Sequence, residues 1–267
     1  MSLLQEDVDA FVLWTKNPKP FLSALAEIAR RGFPFYMHVT VTGYGTPMER
    51  SVASWGSVVE CCRRLAGEYG PRVIAWRYDP IVITEAMTPG WHLENFARLA
   101  DAFTGISDEV ATSFVEPYRK VARNLDRLSA ESGVYWRDPP IEEKRDLVRR
   151  LSALATDRGM LLRVCSQPAV AAGLPEGCCI DPVRLRDVGA TAFSSRPSPT
   201  RSGCNCIQSV DIGEYDTCPQ GCAYCYANRD QATAVANLKV HDPERDGLSG
   251  PKESGCEARE GQLGLFG

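Results

Sequence analysis

Apolar strand-like runs alternate with helix-period stripes through most of the chain, and this alternation restricts the fold more than any single motif. The run over residues 8–14 comes first, followed by Phe21, Leu22, Leu25, Ile28 and Ala29 at helical spacing and by Gly32 as a stop. Residues 33–41 form the next run, broken by Thr42-Gly43-Tyr44-Gly45, and Val52, Trp55, Val59, Cys62 and Leu65 mark a second helix face. Residues 73–76 and 81–83 flank Arg77-Tyr78-Asp79-Pro80, and Leu93, Phe96, Ala97 and Ala100 make a third stripe. A fourth strand starts over residues 110–115. A helix over about 141–158, ended by Gly159, leads into a fifth strand at 160–165.

Strands this apolar, separated by helices, imply a parallel sheet covered on both faces. The expected fold class is α/β, with parallel β/α repeats forming a partial or TIM-like barrel over residues 1–190; an open doubly wound sheet is the alternative. A chain of 267 residues with 44% hydrophobic content suffices for one such main core. Polar residues fall just after the strands: Lys16 and Asn17, Thr42, Arg77 and Asp79, Glu116 and Arg119, and Cys165. In these folds that edge carries the chemistry.

The formal charge of −4 argues against a surface built mainly to neutralise phosphates. No run of about 18 apolar residues occurs, and the first residues lack the basic start and apolar centre of a signal peptide, so a cytoplasmic protein is expected.

Eleven cysteines in such a chain point to metal or redox chemistry rather than to a disulfide framework. His38, His92 and His241 all lie outside the clustered cysteines, which favours a thiolate-rich site. The spacing C-x3-C-x2-C in Cys218-Pro219-Gln220-Gly221-Cys222-Ala223-Tyr224-Cys225 lets one loop place three thiolates on one face of a cubane cluster, with Gly221 permitting the tight turn. Three ligands leave one iron open. Cys204 and Cys206, just upstream, offer a fourth ligand that would close the cluster. A tetrahedral zinc centre is the alternative for the same thiols. Cys165 and Cys179, with Cys178, fit either a second metal site or ordinary buried thiols, and Cys62 reads as core. The cysteine-rich segment spans residues 191–240. Residues 241–267 have the composition of a flexible tail, apolar again at Gln262-Leu263-Gly264-Leu265-Phe266.

Several long strings carry a family resemblance. They are Val12-Leu13-Trp14-Thr15-Lys16-Asn17-Pro18, Trp76-Arg77-Tyr78-Asp79-Pro80, Cys179-Ile180-Asp181, Gly203-Cys204-Asn205-Cys206, and the stretch from Asp211-Ile212-Gly213 through the cysteine loop to Tyr226-Ala227. In these the chain resembles the bacterial domain-of-unknown-function family 1848, whose C-terminal cysteine cluster is similar to that of radical S-adenosylmethionine proteins. Tyr224 matches the aromatic residue that radical enzymes carry before the third cysteine. Two departures accompany the likeness: family members begin with a further strand–helix unit bearing a Ser-Arg-Arg-Thr-Asp-like stretch, and the cysteine loop of radical enzymes follows the first barrel strand, whereas here it comes last.

The resemblance implies a 4Fe-4S cluster on Cys218, Cys222 and Cys225 and a bound S-adenosyl-L-methionine, with Tyr224 a cofactor-binding candidate; Gly43 and Gly45 after the second strand read as a plain turn first and as backbone contacts to that ligand second. Lys16, Asn17, Arg77, Asp79 and Arg119 are the candidate catalytic or substrate contacts, and an electron donor would be required. Gln262, Leu263, Leu265 and Phe266 resemble the pentapeptide that docks bacterial proteins onto the DNA sliding clamp, which would link the reaction to DNA repair or modification. A closed cluster serving electron transfer, or a zinc-stabilised interaction module, are the competing functions.

Overall fold

A computed structural model describes residue 4 and residues 6–242. In chain order its elements begin with β1 (Phe11–Thr15), α1 (Leu22–Arg30), β2 (Phe35–Thr40), α2 (Trp55–Tyr69), β3 (Ile74–Ile81), β4 (Ile83–Thr84) and α3 (Pro89–Phe103). There follow β5 (Glu109–Phe114), α4 (Arg119–Ser132), β6 (Trp136–Arg137), α5 (Ile141–Thr156), β7 (Leu161–Val164), α6 (Pro168–Ala171), α7 (Pro182–Asp187) and α8 (Gln231–Val240). The tail candidates Gln262, Leu263, Leu265 and Phe266 lie outside the described residues. Among the described residues no helix is long and apolar enough to cross a membrane.

β1, β2, β3, β5 and β7 form one parallel sheet in that order, and β4 pairs with β6 as a short antiparallel ribbon. The α/β class is therefore as read. The strand order never reverses, so the doubly wound alternative, which needs a reversal, does not apply. β1 and β7 are the sheet's two edges.

Period-two alternation sorts the strand residues between two faces. Phe35, Met37 and Val39 of β2, Ile74, Trp76 and Tyr78 of β3, and Leu162 and Val164 of β7 join the main core, where they meet Leu25 of α1, Val58 and Cys62 of α2, Phe96 and Phe103 of α3, and Leu147 and Leu151 of α5. Trp76 stacks between Phe96 and Phe103, with ring centroids 5.0 and 4.9 Å away. Tyr36 packs instead with Ile180, Leu185, Ala190, Cys206 and Ile207. Helices thus cover one face, and the chain around residues 178–207 covers the other.

Arg184 of α7 fastens that cover. Fully buried, it donates to the carbonyl of Arg72 at 2.7 Å and pairs with Asp108 at 2.7 Å and Glu109 at 3.2 Å.

Two local features differ from expectation. Pro80 does not split its strand: β3 runs on to Ile81, and its pairing with β5 shifts register between Tyr78 and Ile81, the irregularity that a residue without an amide hydrogen requires. α4 carries only three large buried apolar residues, Val121, Leu125 and Leu128, on a highly charged helix. They build a second core with Tyr44, Met48, Val82, Met87 and Tyr224.

Candidate metal and cofactor site at the edge of the sheet

The cysteine loop is held as an added strand-like segment on residues 48–51. Ala223 N donates to Met48 O at 2.9 Å, Ser51 N to Gln220 O at 3.0 Å, and Glu49 bridges Cys222 in antiparallel sense. Cys225 N donates to Cys222 O at 3.1 Å, which closes the turn between the last two cysteines. Gly221 adopts φ +67°, and a Cβ there would stand 2.6 Å from the Gln231 amide at the start of α8. That amide in turn donates to Pro219 O at 3.2 Å. The Asn228 side chain donates to Cys218 O.

Glu49 joins this loop to the end of β1. Its Oε1 accepts from Lys16 Nζ at 2.8 Å, from Thr42 Oγ1 at 2.6 Å and from the Tyr224 hydroxyl. Lys16 also lies 5.6 Å from the Tyr224 ring centroid. Burial pushes the Cys222 thiol up to about 12 and raises Cys218, while the Lys16 ammonium favours the thiolate of both. A cavity of about 160 Å³ opens beside this group, lined by Lys16, Thr42, Gly43, Gly45, Glu49 and Trp55 among others. Gly43 and Gly45 both have positive φ; Asn95 packs where a Gly43 side chain would go, whereas the space beside Gly45 is open.

The loop thiols suit a cluster in donor type, in their placement on one short turn and in the cation beside them. Among the described residues no three His, Cys, Asp or Glu side chains stand grouped around a single ion position. A four-iron cluster distributes its thiolates over separate irons and needs no convergence on one point.

Cys204 and Cys206 belong to another group. Cys206 Sγ accepts the backbone N–H of Cys179 at 3.2 Å and of Ile180 at 3.4 Å, and both cysteines pack with Tyr36, Cys179 and Ile180 rather than with the core that holds Cys222. Cys165, just past β7, has its sulfur 3.7 Å from that of Cys179. Arg77 donates to Cys179 Sγ at 3.0 Å and pairs with Asp79, which also accepts from Ser113. Arg201 donates to Cys165 Sγ at 3.7 Å.

His38 sits beneath this group, its Nε2 2.8 Å from Cys179 O, and burial with the nearby Arg77 charge lowers it to about 3. The remaining candidates are more peripheral. Asn17 forms a turn, accepting from Lys19 N at 3.2 Å at the entry to α1, and Arg119 is exposed at the start of α4. Sequence reasoning missed Glu49, Ser113 and Arg201. Glu49 belongs to no motif and acquires its role only when β1, the β2–α2 connection and the loop meet.

No curated protein matches the chain. Among solved structures, a D-hydantoinase from a Bacillus sp. AR9 aligns at 14% identity over 68% of this chain, with a TM-score of 0.34. The aligned part spans only 38% of that protein. A family model described as a domain of unknown function matches residues 1–227, a range that takes in all ten cysteines of the described residues and ends two residues beyond Cys225. The chain belongs to that family, DUF1848.

Proposed function

We propose that the chain is a 4Fe-4S protein of the radical S-adenosylmethionine type, with Cys218, Cys222 and Cys225 as the cluster ligands. The observation that carries this reading is the separation of the cysteines: three thiols share one turn, while Cys206 takes the N–H groups of Cys179 and Ile180 and Cys204 takes the Thr200 hydroxyl within the same apolar group. A three-thiolate cluster keeps one iron available to S-adenosyl-L-methionine, whose reductive cleavage supplies a hydrogen-abstracting radical.

The protein's own residues have distinct parts in this reading. Lys16 and Glu49 present one cation and one anion to the cavity lined by Gly43 and Gly45, a pairing suited to the carboxylate and ammonium of an amino-acid moiety. Glu49 and Tyr224 hold the loop against that cavity. Arg77 and Asp79, paired with each other on β3, would orient a polar substrate, and Arg119 is exposed at the start of α4. We take the sheet as an arc of a barrel whose mouth lies between these groups. The substrate class stays with the tail proposal: docking of Gln262, Leu263, Leu265 and Phe266 onto the sliding clamp would bring the mouth to DNA, and a labelled peptide of residues 258–267 binding the clamp would support it.

The test is anaerobic reconstitution of the full chain, with iron and sulfide analysis and EPR of the reduced protein with and without S-adenosyl-L-methionine. A cluster signal that shifts on addition, and disappears in Cys222→Ser, is expected. An unshifted signal would indicate a closed cluster and electron transfer, and a protein holding zinc alone at the loop would overturn the proposal.

A further inference from the structure

Five cysteines outside the loop gather from three stretches of chain: Cys165 after β7, Cys178 and Cys179 before α7, and Cys204 and Cys206 in the covering segment. Their hydrogen-bond surroundings divide them. Cys179 faces the Arg77 guanidinium, Cys165 faces Arg201, Cys206 takes two backbone N–H groups, and Cys204 takes the Thr200 hydroxyl at 3.6 Å. Each of these four sulfurs meets donors, which is what a thiolate needs. Cys178, though beside Cys206, is the exception in its partners, its sulfur lying 3.0 Å from the carbonyl oxygens of Ile180 and Asn205. Two acceptors require a protonated thiol there.

We propose that Cys165, Cys179, Cys204 and Cys206 form a second, all-thiolate site for a single tetrahedral zinc-class ion, separate from the cluster loop. Bonds of about 2.3 Å from zinc to sulfur place tetrahedral thiolates about 3.8 Å apart. The Cys165–Cys179 separation of 3.7 Å already has that length. As they stand, no three of these sulfurs surround a common ion position; Cys206 lies against the Cys179 backbone and Cys204 two residues away on the same turn, so both side chains would have to rotate to complete the set. Four thiolates and a divalent ion leave two negative charges. Arg77, shared with Asp79, and Arg201 lie beside the sulfurs to offset them. The site would tie the covering segment to the end of β7 and fix Arg77 at the mouth. It stands independently of the cluster proposal, because it shares none of its ligands.

The full chain carrying Cys218→Ser, Cys222→Ser and Cys225→Ser isolates the second site. Chelator-treated protein is titrated with Co²⁺ and then with Zn²⁺ under anaerobic conditions, with circular dichroism to establish folding. One equivalent of cobalt with tetrahedral ligand-field bands and intense thiolate charge transfer is expected, displaced stoichiometrically by zinc. Adding Cys179→Ser should abolish the bands, and adding Cys178→Ser should leave them intact. A folded triple variant that binds no cobalt, that loses its bands equally with Cys178→Ser, or that assembles an iron cluster with acid-labile sulfide would overturn the proposal. If Cys179→Ser fails to fold, the cobalt stoichiometry of the triple variant and its Cys178→Ser derivative decides the matter by themselves.

Discussion

The Tyr224 hydroxyl donates to the same Glu49 oxygen that receives Lys16 Nζ at 2.8 Å. A buried carboxylate therefore lies directly under the cysteine loop, satisfied by donors from three parts of the chain. A hydrogen bond to a charged acceptor contributes about 1.5–3 kcal/mol. Tyr224→Phe is expected to lower unfolding stability by about that amount, and Glu49→Gln by a similar amount. Because both changes break one contact, their effects should fall short of additivity in a double-mutant cycle followed by urea unfolding. Full additivity would mean that the loop and the β2–α2 connection are held independently.

Two glycines with nearly the same backbone angle make a controlled comparison. Gly45 at φ +66° faces open space, whereas Gly221 at φ +67° faces the Gln231 amide. Alanine at either position carries the left-handed penalty of about 1–2 kcal/mol. Gly221→Ala must also displace Gln231 and with it the fastening of α8 to Pro219. The Gly221→Ala variant should therefore unfold at lower urea than Gly45→Ala and retain less iron after reconstitution; equal midpoints and equal iron would contradict the contact.

His92 predicts a pH dependence of stability. Its Nδ1 lies 2.8 Å from the Tyr78 hydroxyl and its Nε2 3.0 Å from Val82 O, and burial, partly opposed by the Val82 hydrogen bond, lowers it from 6.5 to about 4. The folded state thus resists a proton that the unfolded state accepts. The contribution is fully present above about pH 6.5 and is lost as the pH falls towards 4, amounting to at most about 3 kcal/mol. Urea midpoints measured between pH 7 and pH 4.5 should fall for the natural chain and fall less steeply for His92→Gln. Parallel profiles would rule His92 out as the source.

Arg184→Met should be among the most damaging single changes outside the cysteines. It leaves the buried Glu109 with Arg163, at 3.3 Å, as its remaining cation and removes the donors to the Arg72 and Ile74 carbonyls. Breaking a buried ion pair from one side costs about 3–5 kcal/mol. A loss below about 1 kcal/mol in chemical denaturation would show that water replaces the guanidinium at this position.

The strands and the helices of the main core are legible because each repeats one period long enough to be read: residues 33–41 become β2, and the stripe from Trp55 to Leu65 becomes the buried face of α2. α4 is not, since three large apolar residues among many charges leave its pattern thin, and its partners lie in remote loops. The cysteine loop is legible as one compact turn because its spacing is local. Spacing also attaches Cys204 and Cys206 to Cys218, yet the fold attaches them to Cys179, 27 residues from Cys206. Nothing local encodes that pairing. Asn17 illustrates the opposite case, a residue that looks like a rim contact and serves as a turn former.

The sequential strand order has a consequence for assembly in time. Each new strand of the sheet adds beside the one made just before it, so the sheet and its four helices can form while the remainder of the chain is still emerging. The covering segment works differently: Arg184 reaches back 112 residues to Arg72, and Tyr224 reaches back 175 to Glu49. The thiols on that segment are consequently the last groups to be enclosed. If the proposed thiolate site is real, metal binding and docking of the cover would converge on one late step, and chain made without metal would accumulate as a finished sheet with an open face.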